Sequence, residues 1–361
     1  MGMGYQGFAK IDGTLVLVTG SSVNIVIEPI VSAAAVGLGW YNAATATHYA
    51  NAALRYEGGI DFDFQESAAV WDSIGEWALY NRLYAKKVLM SPDGQKLFAY
   101  GTGVAGTGTP AVSGDPRTDS GGAWCSQFNV SAGQGSPVRV SATMLAIKRV
   151  TSDVSATTGF WNQKFGYNGE TCSTFSGFNP LNPASGNQDP IPFWKTNARL
   201  IETGSYTPLS TGSTMVTEFG SNVYTVEWNI GVNNNTTALY TCGGTSTTEG
   251  GSTFGLPQAI LVGPMDVTGS VTLFDHDGVP NIIGRPANTT GFQVIIGANR
   301  VIELPAVMIS GDNYGIQGIE APVNRTYELR AFGGKCGVGI TEVLPPCIIT
   351  NSAGDVGEPL A

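Results

Sequence analysis

Charge is scarce in this chain: Asp, Glu, Lys and Arg make up 13% of its 361 residues, about half the usual share. A freely solvated monomer ordinarily carries more. The shortage fits a surface covered by partners, and it equally fits a Gly/Thr-rich β-protein with neutral polar loops. Basic clusters are also missing. The net charge is −10, with 11 acids and 10 bases before residue 151 and 17 acids and 8 bases after it. Tight nucleic-acid binding relies on Lys and Arg neutralising phosphates, so this balance argues against it. The same acidity suits a surface that DNA must pass without sticking. There are two histidines and five cysteines. The cysteines stand at 125, 172, 242, 336 and 347 with no CxxC among them, which excludes zinc-ribbon spacing and predicts buried thiols. The opening Met1–Lys10 has no basic stretch followed by an apolar core, and apolar runs such as Ala33–Leu38 are far too short to span a bilayer. The chain reads as cytosolic when made.

Against these shortages, one stretch is rich in information. In Leu54–Phe64, Ile60, Phe62 and Phe64 alternate with Asp61 and Asp63. A period of two places the apolar residues on one face and the carboxylates on the other, the mark of a half-buried strand. The pattern then changes to Val70, Ile74, Trp77, Ala78 and Tyr84, with Asp72 and Glu76 early and Arg82, Lys86 and Lys87 late. Helical spacing with acid first and base last predicts a helix over 67–85. Everything else reads as strands and turns.

Before this stretch, Asp12-Gly13 sits between Gly7–Ile11 and Thr14–Val18 as a hairpin turn, Val23–Ile27 continues as a strand, and 29–53 reads as a long loop. After it, Ser91-Pro92-Asp93-Gly94 separates Lys87–Met90 from Lys96–Tyr100 as a second hairpin. Residues 101–122 are Gly/Thr-rich and read as an exposed loop, with strands following at Gln127–Val130 and Val138–Lys148. Rising Gly, Asn and Pro content marks a linker at 156–190, dividing a first domain, 1–155, from a second, 191–335. Residues 336–361, with Pro345-Pro346 and an acidic end, read as a tail.

The two halves echo each other. Tyr56–Phe62 resembles Val267–Leu273, and the hairpin Val88–Tyr100 matches Phe292–Leu304. Pro137–Val140 matches Pro322–Arg325. The order of landmarks predicts an internal duplication. The second copy differs in one respect: Gly278, Pro280, Gly284 and Pro286 forbid a long helix at 275–291.

Three catalytic or metal patterns are present only in fragments. Leu17–Ser22 resembles the opening of short-chain dehydrogenases, but Asn24 and Val26 stand where glycines must admit a pyrophosphate. Asp119-Ser120-Gly121-Gly122, with His48 upstream, resembles a chymotrypsin-like nucleophile loop, yet Thr118 replaces the glycine of the oxyanion hole. Asp275-His276-Asp277-Gly278 lacks the further oxygen ligands of a calcium loop. No catalytic residue, cofactor or metal site is therefore assigned, and the chain is not expected to be an enzyme.

A strand pair, a Gly-Gly-Ile-x-Phe strand, one amphipathic helix, a hairpin and closing strands resemble the tail-tube proteins of long-tailed bacteriophages, over 1–150 and more loosely over 191–335. The resemblance implies a mainly β fold: two tandem tail-tube-like β-sandwich or barrel domains, the first flanked by the helix. It implies a structural virion protein, assembled in the host cytoplasm, whose rings of three or six subunits stack into the conduit for DNA ejection. Its partners would be further copies of itself and other tail proteins, with DNA passing through the lumen unbound. Asp61 and Asp63 are then candidates to face the channel. The rival reading from another class is a virion adhesin or decoration module, which should present clustered exposed aromatics.

Overall fold

The computed structural model describes residues 7–11, 14–16, 18–31, 49–64, 68–80, 82–93, 96–100, 122–153, 190–202, 224–274, 290–297, 300–316, 323–333, 345–351 and 354–355. Over these residues the chain is mainly β. The first half contains β1 (Phe8–Ile11), β2 (Thr14–Val16), β3 (Gly20–Val31) and β4 (Tyr49–Asp63). Helix α1 (Ala68–Gly75) follows, then β5 (Val88–Ser91), β6 (Lys96–Tyr100), β7 (Ala123–Gly133), β8 (Arg139–Ala146) and β9 (Arg149–Asp153). The second half opens with β10 (Thr196–Glu202) and β11 (Tyr224–Asn233). Four short strands come next: β12 (Thr236–Leu239), β13 (Ser246–Glu249), β14 (Ser252–Gly255) and β15 (Ala259–Val262). It continues through β16 (Asp266–Phe274), β17 (Thr290–Ile296), β18 (Arg300–Leu304), β19 (Val307–Ile316) and β20 (Val323–Ala331). It closes on β21 (Ile348–Asn351) and β22 (Gly354–Asp355).

One long antiparallel sheet runs through both halves in the order β3-β4-β8-β7-β11-β16-β20-β19, with β13-β14 attached to β4 through a single parallel bridge. Two five-stranded sheets accompany it, β2-β1-β5-β6-β9 and β10-β17-β18-β21-β22. Alternation builds the core: Ile60 and Phe62 of β4, Val130 of β7, Val140 of β8, Trp228 and Ile230 of β11 and Val271 of β16 all bury on one face of the long sheet. They join Met90 of the first small sheet, Val294 of the second and Trp71 and Trp77 in a single apolar cluster. Both expected hairpins form, Val88 pairing with Tyr100 and Phe292 with Leu304.

Gly58 shows why the Gly-Gly pair stands in β4. A Cβ there would strike the Met144 methyl and lie 2.9 Å from the Tyr100 hydroxyl. That hydroxyl donates to the Glu57 carbonyl at 3.1 Å, so the small sheet crosses the long one where no side chain intervenes.

Several expectations need correction. The helix does not run from 67 to 85. It passes at Glu76 into a π-helical stretch that ends at Tyr80, where Trp77, Ala78, Leu79 and Tyr80 are all buried. Four consecutive buried residues cannot share one stripe of an α-helix, so this segment is enclosed on all sides rather than resting on a surface. Backbone bonding then draws the chain away: Lys86 and Ala123 exchange hydrogen bonds of 3.0 and 2.8 Å, and the Trp124 indole donates to the Leu83 carbonyl at 3.2 Å. The late bases serve other ends, with Lys86 2.9 Å from Glu76 and Arg82 donating to the Gly263 carbonyl at 2.7 Å.

The span 29–53 is not all loop. β3 extends to Val31 and β4 starts at Tyr49, paired over their length. Residues 336–361 are not simply a tail, because Cys347, Ile348 and Ile349 are buried and β21 pairs with β18. The Tyr80 hydroxyl seals this join, donating to the Ile349 carbonyl and accepting from its N–H, both at 2.9 Å. Cys125 and Cys347 are buried as expected, and burial pushes both thiols up, whereas Cys242 is exposed. The loop 101–121, the linker from 154 to 189 and the helix-breaking segment 275–289 lie outside the described residues.

Candidate functional site

The long sheet has two unlike faces. Opposite the core, its strands present Glu57, Asp61 and Asp63 of β4, Ser141 and Thr143 of β8, and Asn129 and Ser131 of β7. The same face continues through Asn229 and Asn233 of β11, Thr268 and Thr272 of β16 and Thr326 and Glu328 of β20. Small neutral polar residues dominate it. Its charged members are Glu28, Glu57, Asp61, Asp63, Glu227, Asp266 and Glu328 against Arg55, Arg139 and Arg330, seven acids to three bases. At one end the face is covered, where Trp124, Leu145 and Ile147 pack with Ile260 beneath the β12–β15 ribbon.

Asp61 and Asp63 lie on this polar face. Asp61 is exposed between Gly20 of β3 and Ser141 of β8, and its backbone carbonyl accepts from Thr19 at 2.7 Å. Asp63 stands opposite Arg139, with 4.0 Å between carboxylate and guanidinium. Arg139 is largely exposed, so this is a weak, solvent-screened pair. Both aspartates border one open depression with Thr19, Asn129 and Ser131. Farther along β4, Arg55 is held by Glu57 at 2.7 Å and by Glu28 of β3. The Tyr56 hydroxyl donates to Glu249 at 2.9 Å, and burial together with that carboxylate pushes the phenol up to about 12.

The second feature is the pair of sheet edges. Among the described residues β3 pairs only with β4, and β19 only with β20. Each leaves a row of backbone N–H and C=O groups without a ladder partner on one side. Between them, inside the chain, β7 and β11 close the same kind of gap, pairing from Gln127 opposite Asn233 to Gly133 opposite Glu227. The buried Asn234 pins that junction: its backbone N–H reaches the Ser126 carbonyl at 2.9 Å, and its side-chain amide donates to the carbonyls of Ala78 and Cys125 at 2.9 and 3.0 Å.

Near the open edge of β19, Asp312 takes a two-pronged ion pair from Arg325, with 2.9 Å from Nε and 2.7 Å from Nη2. The hydrogen-bonded guanidinium holds the carboxyl below its ordinary value. A lowered folded pKa contributes stability above the unfolded carboxylate value, near 4, and loses it as pH falls through the folded value. The stability difference between wild type and Asp312→Asn, on the order of 1 kcal/mol at pH 7, is expected to shrink below about pH 4. Urea midpoints measured at pH 7 and pH 3 check this; an equal difference at both would show that the pair does not form.

The sequence reading missed the β12–β15 region, whose strands of four residues each are too short to show a period. It also missed the open edges, which no local pattern announces. His48, Ser120 and the 275–278 segment lie outside the described residues. Among those described, no three His, Cys, Asp or Glu side chains converge as metal ligands. None of the helices described is long and apolar enough to cross a membrane. No protein-family model matches the chain, and no curated protein matches it.

Proposed function

We propose that the chain is a structural subunit that assembles with copies of itself into stacked rings, forming a tube of the phage-tail kind through which DNA passes. The observation that carries this reading is the long sheet itself: one face apolar and buried, the other polar, net acidic and nearly free of large apolar side chains, with both outer strands open among the described residues. A sheet with open edges is stabilised by closure, which removes unpaired backbone groups that otherwise invite aggregation. A closed sheet of this polarity encloses a lumen whose acidic residues repel phosphate, while its Ser, Thr and Asn surface offers DNA no cationic anchor. The role is architectural, in the virion tail after assembly in the host cytoplasm, with no catalytic step.

The adhesin or decoration reading calls for clustered exposed aromatics. Of the large hydrophobic residues exposed in the described part, only Trp194 and Phe332 are aromatic, so that reading gains no support. Concentrated pure protein is expected to show rings with a central hole, or tubes, in negative-stain micrographs and a matching sedimentation coefficient. Compact monomers under all conditions, including with added tail extract, would overturn the proposal.

A further inference from the structure

The two halves of the long sheet follow one pairing scheme. β3-β4-β8-β7 in the first corresponds to β11-β16-β20-β19 in the second, and each half adds a hairpin (β5-β6, β17-β18) flanked by an earlier strand (β1, β10) and a later one (β9, β21). Registers agree in detail. Gly58 pairs with Met144 and Val23, and Gly269 pairs with Leu329 and Ile230. The ladder shifts by one residue between Cys125 and Gln127 in β7, and between Ile309 and Gly311 at the corresponding place in β19. Bulges are placed features of a strand, so their coincidence ties β7 to β19 residue by residue.

By this correspondence the closed junction β7–β11 joins the counterpart of β19 to the counterpart of β3. The strands left open at the two ends of the sheet are therefore the same two kinds of edge that are already joined in the middle. We infer that β19 of one copy pairs antiparallel with β3 of the next, reproducing the internal junction, with Val23 opposite Tyr314, Asn24 opposite Asn313 and Ile25 opposite Asp312. This deepens, and rests on, the reading of the chain as a ring-forming subunit.

Burial supports the assignment. Ile230, Val232 and Asn234 of the second half are 1%, 2% and 0% exposed. The positions matching the last two are Ile25 and Ile27 of β3, which are 38% and 44% exposed. β7 lies beside Val232 and Asn234, and nothing described occupies the equivalent place beside β3. Two large aliphatic side chains at the rim of a twelve-residue edge strand are what a free monomer normally avoids, because they invite another chain to pair there. A contact between two different edges is heterologous, so repeating it builds a ring where the rotation closes.

The test uses cysteine pairs on the polar face, where Asn24 and Asn313 are both exposed. The full chain, with Cys172, Cys242 and Cys336 replaced by serine, receives Asn24→Cys together with Asn313→Cys and is oxidised under mild conditions after assembly. Directly opposed residues fall within disulfide reach, whereas diagonal neighbours, roughly 7–8 Å apart, exceed the usual range. Covalent multimers in a denaturing gel are expected, at least severalfold more than from Ser22→Cys with Asn313→Cys or from Val26→Cys with Asn313→Cys. Rings seen by negative stain with no excess cross-linking at the Asn24/Asn313 pair would overturn this junction while leaving ring formation standing. A triple-serine background that stays monomeric in sedimentation, as wild type does, would remove the ring reading, and this inference with it.

Discussion

Tubes built from a chain carrying Asp61→Lys and Asp63→Lys are expected to retain DNA that wild-type tubes release. The two aspartates sit on the polar face of β4, one exposed and one loosely paired with Arg139. Replacing both leaves Glu28, Glu57, Glu227, Asp266 and Glu328 against Arg55, Arg139, Arg330 and two new lysines, which abolishes the net acidity of the face and sets cations where carboxylates stood. Folding should change little. Asp61 is exposed, and a pair with a guanidinium 70% exposed contributes well under about 1 kcal/mol. DNA binding should change a great deal, because the proposed ring would repeat the lysines around its lumen. With about six of them each neutralising a phosphate, affinity falls on the order of a thousandfold between 50 and 200 mM salt. Binding of short duplexes to assembled tubes across a salt series reads this directly. Unchanged binding at low salt would place Asp61 and Asp63 away from the channel.

The second large effect concerns the internal junction. Trp228 of β11 is fully buried, pairs with Ala132 of β7 on one side and Val271 of β16 on the other, and donates its indole N–H to the Thr196 hydroxyl at 3.1 Å. Trp228→Ala removes the largest side chain at the join and leaves a cavity lined by both halves, which costs about 3–5 kcal/mol. Total stabilities are typically about 5–15 kcal/mol, so the variant should unfold at a much lower urea concentration. Ile25→Ala, at an exposed position of the open edge, should cost the monomer less than about 1 kcal/mol and act on assembly instead. Because the two halves share one sheet and one core, wild type should unfold in a single transition followed by tryptophan fluorescence and far-ultraviolet circular dichroism alike. A Trp228→Ala loss below about 1 kcal/mol would mean the halves are not packed through this residue.

Side-chain alternation is a local property, and what depends on it could be read directly from the residues. Ile60, Phe62 and Phe64 set against Asp61 and Asp63 identified β4, its buried face and the opposite disposition of the carboxylates. Ser91-Pro92-Asp93-Gly94 identified the β5–β6 hairpin, where the Asp93 carboxylate accepts from the Lys96 N–H at 2.9 Å. Spacing of Val70, Ile74 and Trp77 located the start of the helix. Its end at Tyr80 was not legible, because what stops it is a backbone bridge from Lys86 to Ala123, a residue far along the chain. Pro345-Pro346 suggested a tail for the same reason: the strand that buries Ile349 exists only by pairing with β18. Only the tertiary structure decided that β7 joins β11, and hence which edges remain open. Strand partnership is made by backbone N–H and C=O groups that are alike in every residue. Alternation therefore says which face of a strand is buried and carries no information about which strand lies beside it.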